Sequence, residues 1–164
     1  MRKLYLMLIP AIWILTSCSK TASNEQNNAA QQRANDFQAS IKTHKFKPVA
    51  FYSDKPIHYI STDSARTDLW IYVKSYIKDD VNVFNDNGTV TIYQNADKMP
   101  GNEAATINAS YGTLVKGTDV MFNFVDYNYV ATQYRLEQLD NAYFTVYVDG
   151  PAGSKLFSKF ARID

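Results

Sequence analysis

From Phe37 onward this chain alternates apolar and polar side chains with a period of two, segment after segment, and turn-forming residues part the segments. Val90 and Ile92 alternate with Thr91 and Tyr93, and Ile107, Ala109 and Tyr111 with Asn108 and Ser110. Val120, Phe122 and Phe124 alternate with Met121 and Asn123, Tyr134 and Leu136 with Arg135 and Glu137, and Phe144, Val146 and Val148 with Tyr143, Thr145 and Tyr147. A strand points successive side chains to opposite faces, so this pattern marks antiparallel strands with one face buried. Asn87-Gly88, Lys116-Gly117 and Asp140-Asn141 stand between the runs. Asn-Gly in particular suits the hairpin turns that need positive φ.

Phe46 to Tyr52 is the expected first strand, with Pro48 tolerated only at an edge or a bulge because it has no N–H to donate. Leu156 to Ala161 is the expected last. One segment departs from the rule: Leu69, Tyr72, Val73, Tyr76 and Ile77 recur at intervals of three and four, which predicts an amphipathic helix over 69–77 with Asp68 capping it. The expected fold is mainly β, an antiparallel barrel or closed meander of about seven or eight strands with one or two short helices, because a sheet of that size closes to hide its edges. The 69–77 helix is expected to cover the outer face that carries Tyr93, Tyr143 and Tyr147.

The first residues say where such a domain works. Arg2 and Lys3 precede the apolar run Leu4–Leu15, and Leu15-Thr16-Ser17-Cys18 closes it with the chain's single cysteine. The run is too short for a bilayer core of ~30 Å, which needs about 20 residues, and it has the order of a secretory signal. The Leu-Thr-Ser-Cys ending resembles a bacterial lipobox. That resemblance implies cleavage before Cys18, lipidation of its thiol and acylation of the new amino terminus, with palmitate-like chains holding the protein to a membrane. Ser19 and Lys20 follow, without the aspartate that signals inner-membrane retention in some such families. The outer membrane is therefore expected, at its periplasmic face rather than the cell surface. Residues 1–17 read as the lipoprotein signal peptide, 18–36 as a flexible lipid tether of Ser, Asn, Gln, Ala and Thr that turns helical only near Ala29–Ile41, and 37–164 as one β-rich domain.

Lipobox, polar tether, the stretch Asp79–Gln94 (DDVNVFNDNGTVTIYQ), Tyr111-Gly112 and two further hairpins together resemble the small lipocalin-like lipoproteins of Gram-negative bacteria. The likeness spans roughly Asp79 to Asp149 and lacks the Gly-x-Trp of true lipocalins near the first strand. It implies a barrel-like topology and a binding role.

Catalytic motifs are missing. His44 and His58 have no partner at metal-ligand spacing, and there is no Gly-x-Ser-x-Gly elbow, His-Glu-x-x-His or P-loop. Asn85-Asp86-Asn87-Gly88 lacks the remainder of a calcium loop, and the adjacent Asp79 and Asp80 point to opposite faces of an extended stretch. No catalytic residue, metal or cofactor is expected, and no enzymatic activity. Without the signal's Arg2 and Lys3, the 17 basic side chains no longer outnumber the 16 acidic ones. That balance excludes an electrostatic nucleic-acid binder. What remains are the inward aromatics. Tyr111, Phe122, Phe124, Tyr134 and Phe144 either fill the core or line a pocket for a small hydrophobic or glycan-like ligand. The alternative is a structural or assembly subunit that meets a membrane complex through a sheet edge or a tyrosine-rich face.

Overall fold

The structure, a computed structural model, describes residues 18–42 and 44–164; the proposed signal segment lies outside the described residues. Helix α1 (Cys18–Lys42) leads into strand β1 (Lys45–Ile57), then the short β2 (Arg66–Asp68), a 3-10 turn (Trp70–Tyr72) and helix α2 (Ser75–Asp79). Seven strands follow in hairpin order: β3 (Val81–Phe84), β4 (Thr89–Tyr93), β5 (Thr106–Lys116), β6 (Asp119–Val125), β7 (Ala131–Leu139), β8 (Tyr143–Asp149) and β9 (Lys155–Arg162). Every neighbouring pair is antiparallel. The fold is the mainly β, closed antiparallel meander that the alternation predicts.

Closure comes from β1. Its start pairs with β3 (Phe46 opposite Asn82) while its other edge pairs with β9 from Phe46–Arg162 to Ser53–Leu156. All strands except β2 thus join one ring, which removes the open edges a nine-stranded sheet would otherwise present. Pro48 sits where the β1–β9 register shifts, between Pro48 and Ala50. The ladder slips at the residue that cannot donate to it. At the β3–β4 turn Gly88 has φ +79°, and a Cβ there would lie 3.3 Å from the Tyr111 carbonyl oxygen. Conformation and space both call for glycine at this hairpin.

The segment expected as a flexible tether is instead helical, continuous from Cys18 to Lys42. Ala30, Ala34, Phe37 and Ile41 form one stripe on it, and Phe37 and Ile41 are fully buried. The Phe37 ring meets Phe122 and Phe144 edge-on, at centroid distances of 5.6 and 5.3 Å. Arg33 Nη2 donates to the carbonyls of Leu136 (3.2 Å) and Glu137 (2.6 Å), Gln38 donates to the Thr113 hydroxyl, and Lys42 pairs with Asp86 at 3.5 Å. These partners belong to the end of the ring that holds the 85–88 turn, so α1 plugs that end. Two alanines suffice for its upper contacts because a small side chain lets a helix lie close to strands. That is why a segment without large apolar residues misreads as solvated.

The expected 69–77 helix is also corrected. The 3-10 turn and α2 are separate, parted by extended Val73 (φ −70°, ψ 129°) and Lys74 (φ −61°, ψ 144°). Asp68 does accept a bond from the Trp70 N–H at 2.9 Å. The residues after it, Trp70-Ile71-Tyr72-Val73, are aromatic or β-branched and lose rotamer freedom in a helix. Nor does the segment cover the outer tyrosines. Tyr93 and Tyr143 are exposed, and Lys159 Nζ rests 3.9 Å from the Tyr143 ring centroid. No helix among the described residues is long and apolar enough to cross a membrane.

Candidate ligand cavity

The two ends of the ring differ in what fills them. Toward the α1 end, Phe46, Phe84, Phe122 and Phe144 interlock around Phe37, with Phe46 and Phe84 each meeting Phe144 edge-on at 4.9 and 6.1 Å. Val90, Val120, Leu136 and Val146 complete this packed half. The other half is hollow. A cavity of about 480 Å³ lies between the strand walls and the loops that leave them.

Strand alternation decides its lining. From Asp80, just before β3, the inward series runs Asp80, Asn82, Phe84 from the open end toward the packed end, and Ile92 stands opposite Asn82 on β4. Ile107, Phe124, Tyr134, Ser158 and Phe160 continue the wall from β5, β6, β7 and β9. The rim comes from loops. Tyr59, Trp70, Tyr72 and Tyr76 belong to the long 58–80 connection, Met99 to the 94–105 loop and Tyr127 to the β6–β7 turn.

Buried or pinned polar groups hold these loops in place. Gln94, buried, donates through Nε2 to the carbonyls of Asn102 (3.1 Å) and Ala104 (2.8 Å), and its Oε1 accepts the Met99 N–H at 2.8 Å. One side chain thereby folds the 94–105 loop inward and sets Met99 against the cavity. Asp126 Oδ1 accepts the N–H groups of Asn128 (2.8 Å) and Val130 (2.9 Å), which fixes the turn that carries Tyr127. Tyr72 donates to Asp63 at 2.5 Å, and this bond raises the phenol above its ordinary value.

Asp80 is the exceptional group. It lines the cavity, is only 6% exposed, and its Oδ1 is sealed from solvent with no hydrogen-bond donor. Burial first, then the neighbouring charges of Asp79 and Asp97, push its carboxyl up to about 6. The adjacent Asp79 also has a buried Oδ1 without a donor, but its Oδ2 accepts the Asp97 N–H at 3.1 Å, tying α2 to the 94–105 loop. Tyr134 is likewise raised, chiefly by burial. Among the described residues no group of three or more His, Cys, Asp or Glu can hold a metal ion. A larger furrow of about 700 Å³ runs on Val49–Asp54 beside Thr67, Asp68 and Trp70. It follows consecutive β1 residues, and its two carboxylates, Asp54 and Asp68, are exposed.

Of the aromatics singled out from sequence, Phe124 and Tyr134 line the cavity together. Phe122 and Phe144 belong to the packed half instead, and Tyr111 leans on Phe84 with its hydroxyl donating to the Asn85 carbonyl at 2.9 Å. Cys18 is the first residue of α1. Sequence reasoning missed Asp80, Asn82 and the rim aromatics. The signal for the first two was present, since Asp80, Asn82 and Phe84 alternate on one face; the rim depends on loop paths that no periodicity encodes. No protein family matches the chain, and no curated protein or solved structure matches it significantly.

Proposed function

We propose that this protein is a lipoprotein, anchored through Cys18 at the periplasmic face of the outer membrane, whose ring domain binds a small hydrophobic or glycan-like ligand without catalysing a reaction. The observation that carries the reading is the hollow half of the ring: about 480 Å³, apolar-walled, aromatic-rimmed and furnished with few polar groups. That is the make-up of small-molecule sites, where apolar surface supplies affinity and a few polar atoms fix orientation. The packed half supports it too, since a rigid floor keeps the cavity formed before a ligand arrives.

Native mass spectrometry of the purified full-length chain tests the binding. Ser158 is a small side chain on the cavity wall, and Ser158→Trp should fill the space. The wild type should carry or take up a small apolar or glycan compound, and the variant should lose at least about ten-fold in affinity, since ten-fold is 1.4 kcal/mol. Equal binding by the two proteins, or none by the wild type, overturns the reading. The anchor has its own test. Cys18→Ser should leave an uncleaved precursor or a soluble protein, and membrane-bound material at mature mass would refute lipidation of Cys18.

The second reading, contact with a membrane complex, draws on the exposed outer tyrosines Tyr93 and Tyr143 and on β2, the short strand outside the ring. It gains if Phe124→Ala leaves ligand binding untouched while Tyr143→Ala abolishes co-purification of one defined membrane protein.

A further inference from the structure

Resting on the small-ligand reading, the chemistry of the ligand follows from Asp80. A carboxylate removed from water without a partner is costly, and binding sites keep such groups where the ligand supplies the missing charge. Asp80 forms no ion pair with any described lysine, arginine or histidine. Several titratable groups face it or stand on the cavity wall. Lys74 and Tyr76 come from the 58–80 connection, Asp79 ends α2, Asp97 lies on the 94–105 loop, Asp126 on the β6–β7 turn and Tyr134 on β7. The charges that act on Asp80 are those of Asp79 and Asp97, both acidic, so the potential at Asp80 is negative; Lys78 and Arg66 sit over the Trp70 and Tyr72 rings instead. An anionic ligand would be repelled.

The surrounding rings point the same way. An aromatic face attracts a cation within about 6 Å of its centroid. Two rim rings already act so toward the chain itself: Lys78 Nζ lies 5.2 Å from the Trp70 centroid, and the Arg66 guanidinium carbon 5.8 Å from that of Tyr72. Buried carboxylate and aromatic rim together make a site for positive charge, and the apolar wall of Ile92, Ile107 and Phe124 makes one for a hydrocarbon body. We propose that the cavity binds a small organic cation, an amine on an apolar body, with its ammonium against the Asp80 carboxylate and its body on the strand wall. Asp80 is ionised at neutral pH and protonates near pH 6. The charge pairing is present above that pH and lost below it.

The test uses three probes with one hydrocarbon body and different heads: 4-phenylbutylamine, 4-phenylbutanol and 4-phenylbutyrate. Binding to the purified full-length chain is followed by calorimetry and by intrinsic tryptophan fluorescence, Trp70 being the tryptophan at the cavity rim. At about pH 7.5 the amine should bind at least about ten-fold more tightly than the alcohol, as a charge-assisted contact worth 1.4 kcal/mol or more requires, and the acid should bind more weakly than either. The preference should vanish at about pH 5 and in Asp80→Asn, whose folding is checked by circular dichroism. The wild-type comparison across probes and pH decides the matter even if that variant does not fold. If amine and alcohol bind equally, the cation site is refuted while the cavity reading stands. If no probe binds, both fall.

Discussion

Phe37→Ala is expected to cost about 3–5 kcal/mol of unfolding free energy, the range for truncating a fully buried phenylalanine in a core that cannot collapse around the gap. The ring of Phe37 is fully buried, and its two edge-on contacts with Phe122 and Phe144 would be lost with it. The experiment separates two roles for the N-terminal segment. A detachable tether would tolerate the change within about 0.5 kcal/mol, as surface sites do; a plug that completes the core would not. Urea denaturation of the full-length chain measures it. Phe124→Ala is the comparison, since Phe124 is only half-buried and lines the hollow end. It should cost clearly less, because the space it leaves merges with one already present. Similar losses at both positions would mean that the two halves of the ring are packed alike.

Asp80→Asn is expected to stabilise the protein at neutral pH. Its carboxyl is raised from 3.8 to about 6, so the folded chain holds a proton that the unfolded chain releases between those values. Stability therefore falls as pH rises through that window, and above it the buried charge is a standing cost. At about 1.4 kcal/mol per unit, the penalty is at most about 3 kcal/mol. Asparagine removes the charge, so the gain should be about 1–3 kcal/mol at pH 7.5 and close to zero at about pH 3, below both values, where Asp80 is mostly protonated in both states. Denaturation at the two pH values reads the difference. A loss of stability at pH 7.5 would show that Asp80 has a favourable partner in the fold. A gain there would make Asp80 one of the groups retained at a cost to stability, as binding sites commonly are.

How much of this was legible in advance varies with the range of the interactions involved. The strand runs were readable because burial on one face of a strand imposes a period of two locally, and 81–84, 90–93, 107–111, 120–124 and 144–148 all fall inside observed strands. Gly88 was readable because a tight hairpin restricts φ whatever surrounds it. The 69–77 segment was misread because its spacing of three and four is also produced by a broken connection whose apolar groups bury separately. Leu69 is fully buried while Ile77, at the other end of the expected stripe, is exposed, so no continuous stripe exists. The site was half legible. Phe124 and Tyr134 could be named as inward-facing, but alternation cannot tell them from Phe122, which faces inward on the same strand as Phe124, or from Phe144 on β8.

The order of apolar and polar residues, with the turns between, determined by itself that this chain makes an antiparallel meander and which side chains point into it. Both are consequences of neighbours along the chain. Which inward residues meet one another and which face a void was decided only by tertiary structure. Ring closure through β1 and β9, and the entry of α1 at one end, join residues more than a hundred positions apart, as when Arg33 reaches the Leu136 carbonyl. Because α1 fills only its own end, the opposite end stays hollow, and Asp80, an ordinary acid in sequence, becomes a buried carboxylate without a partner.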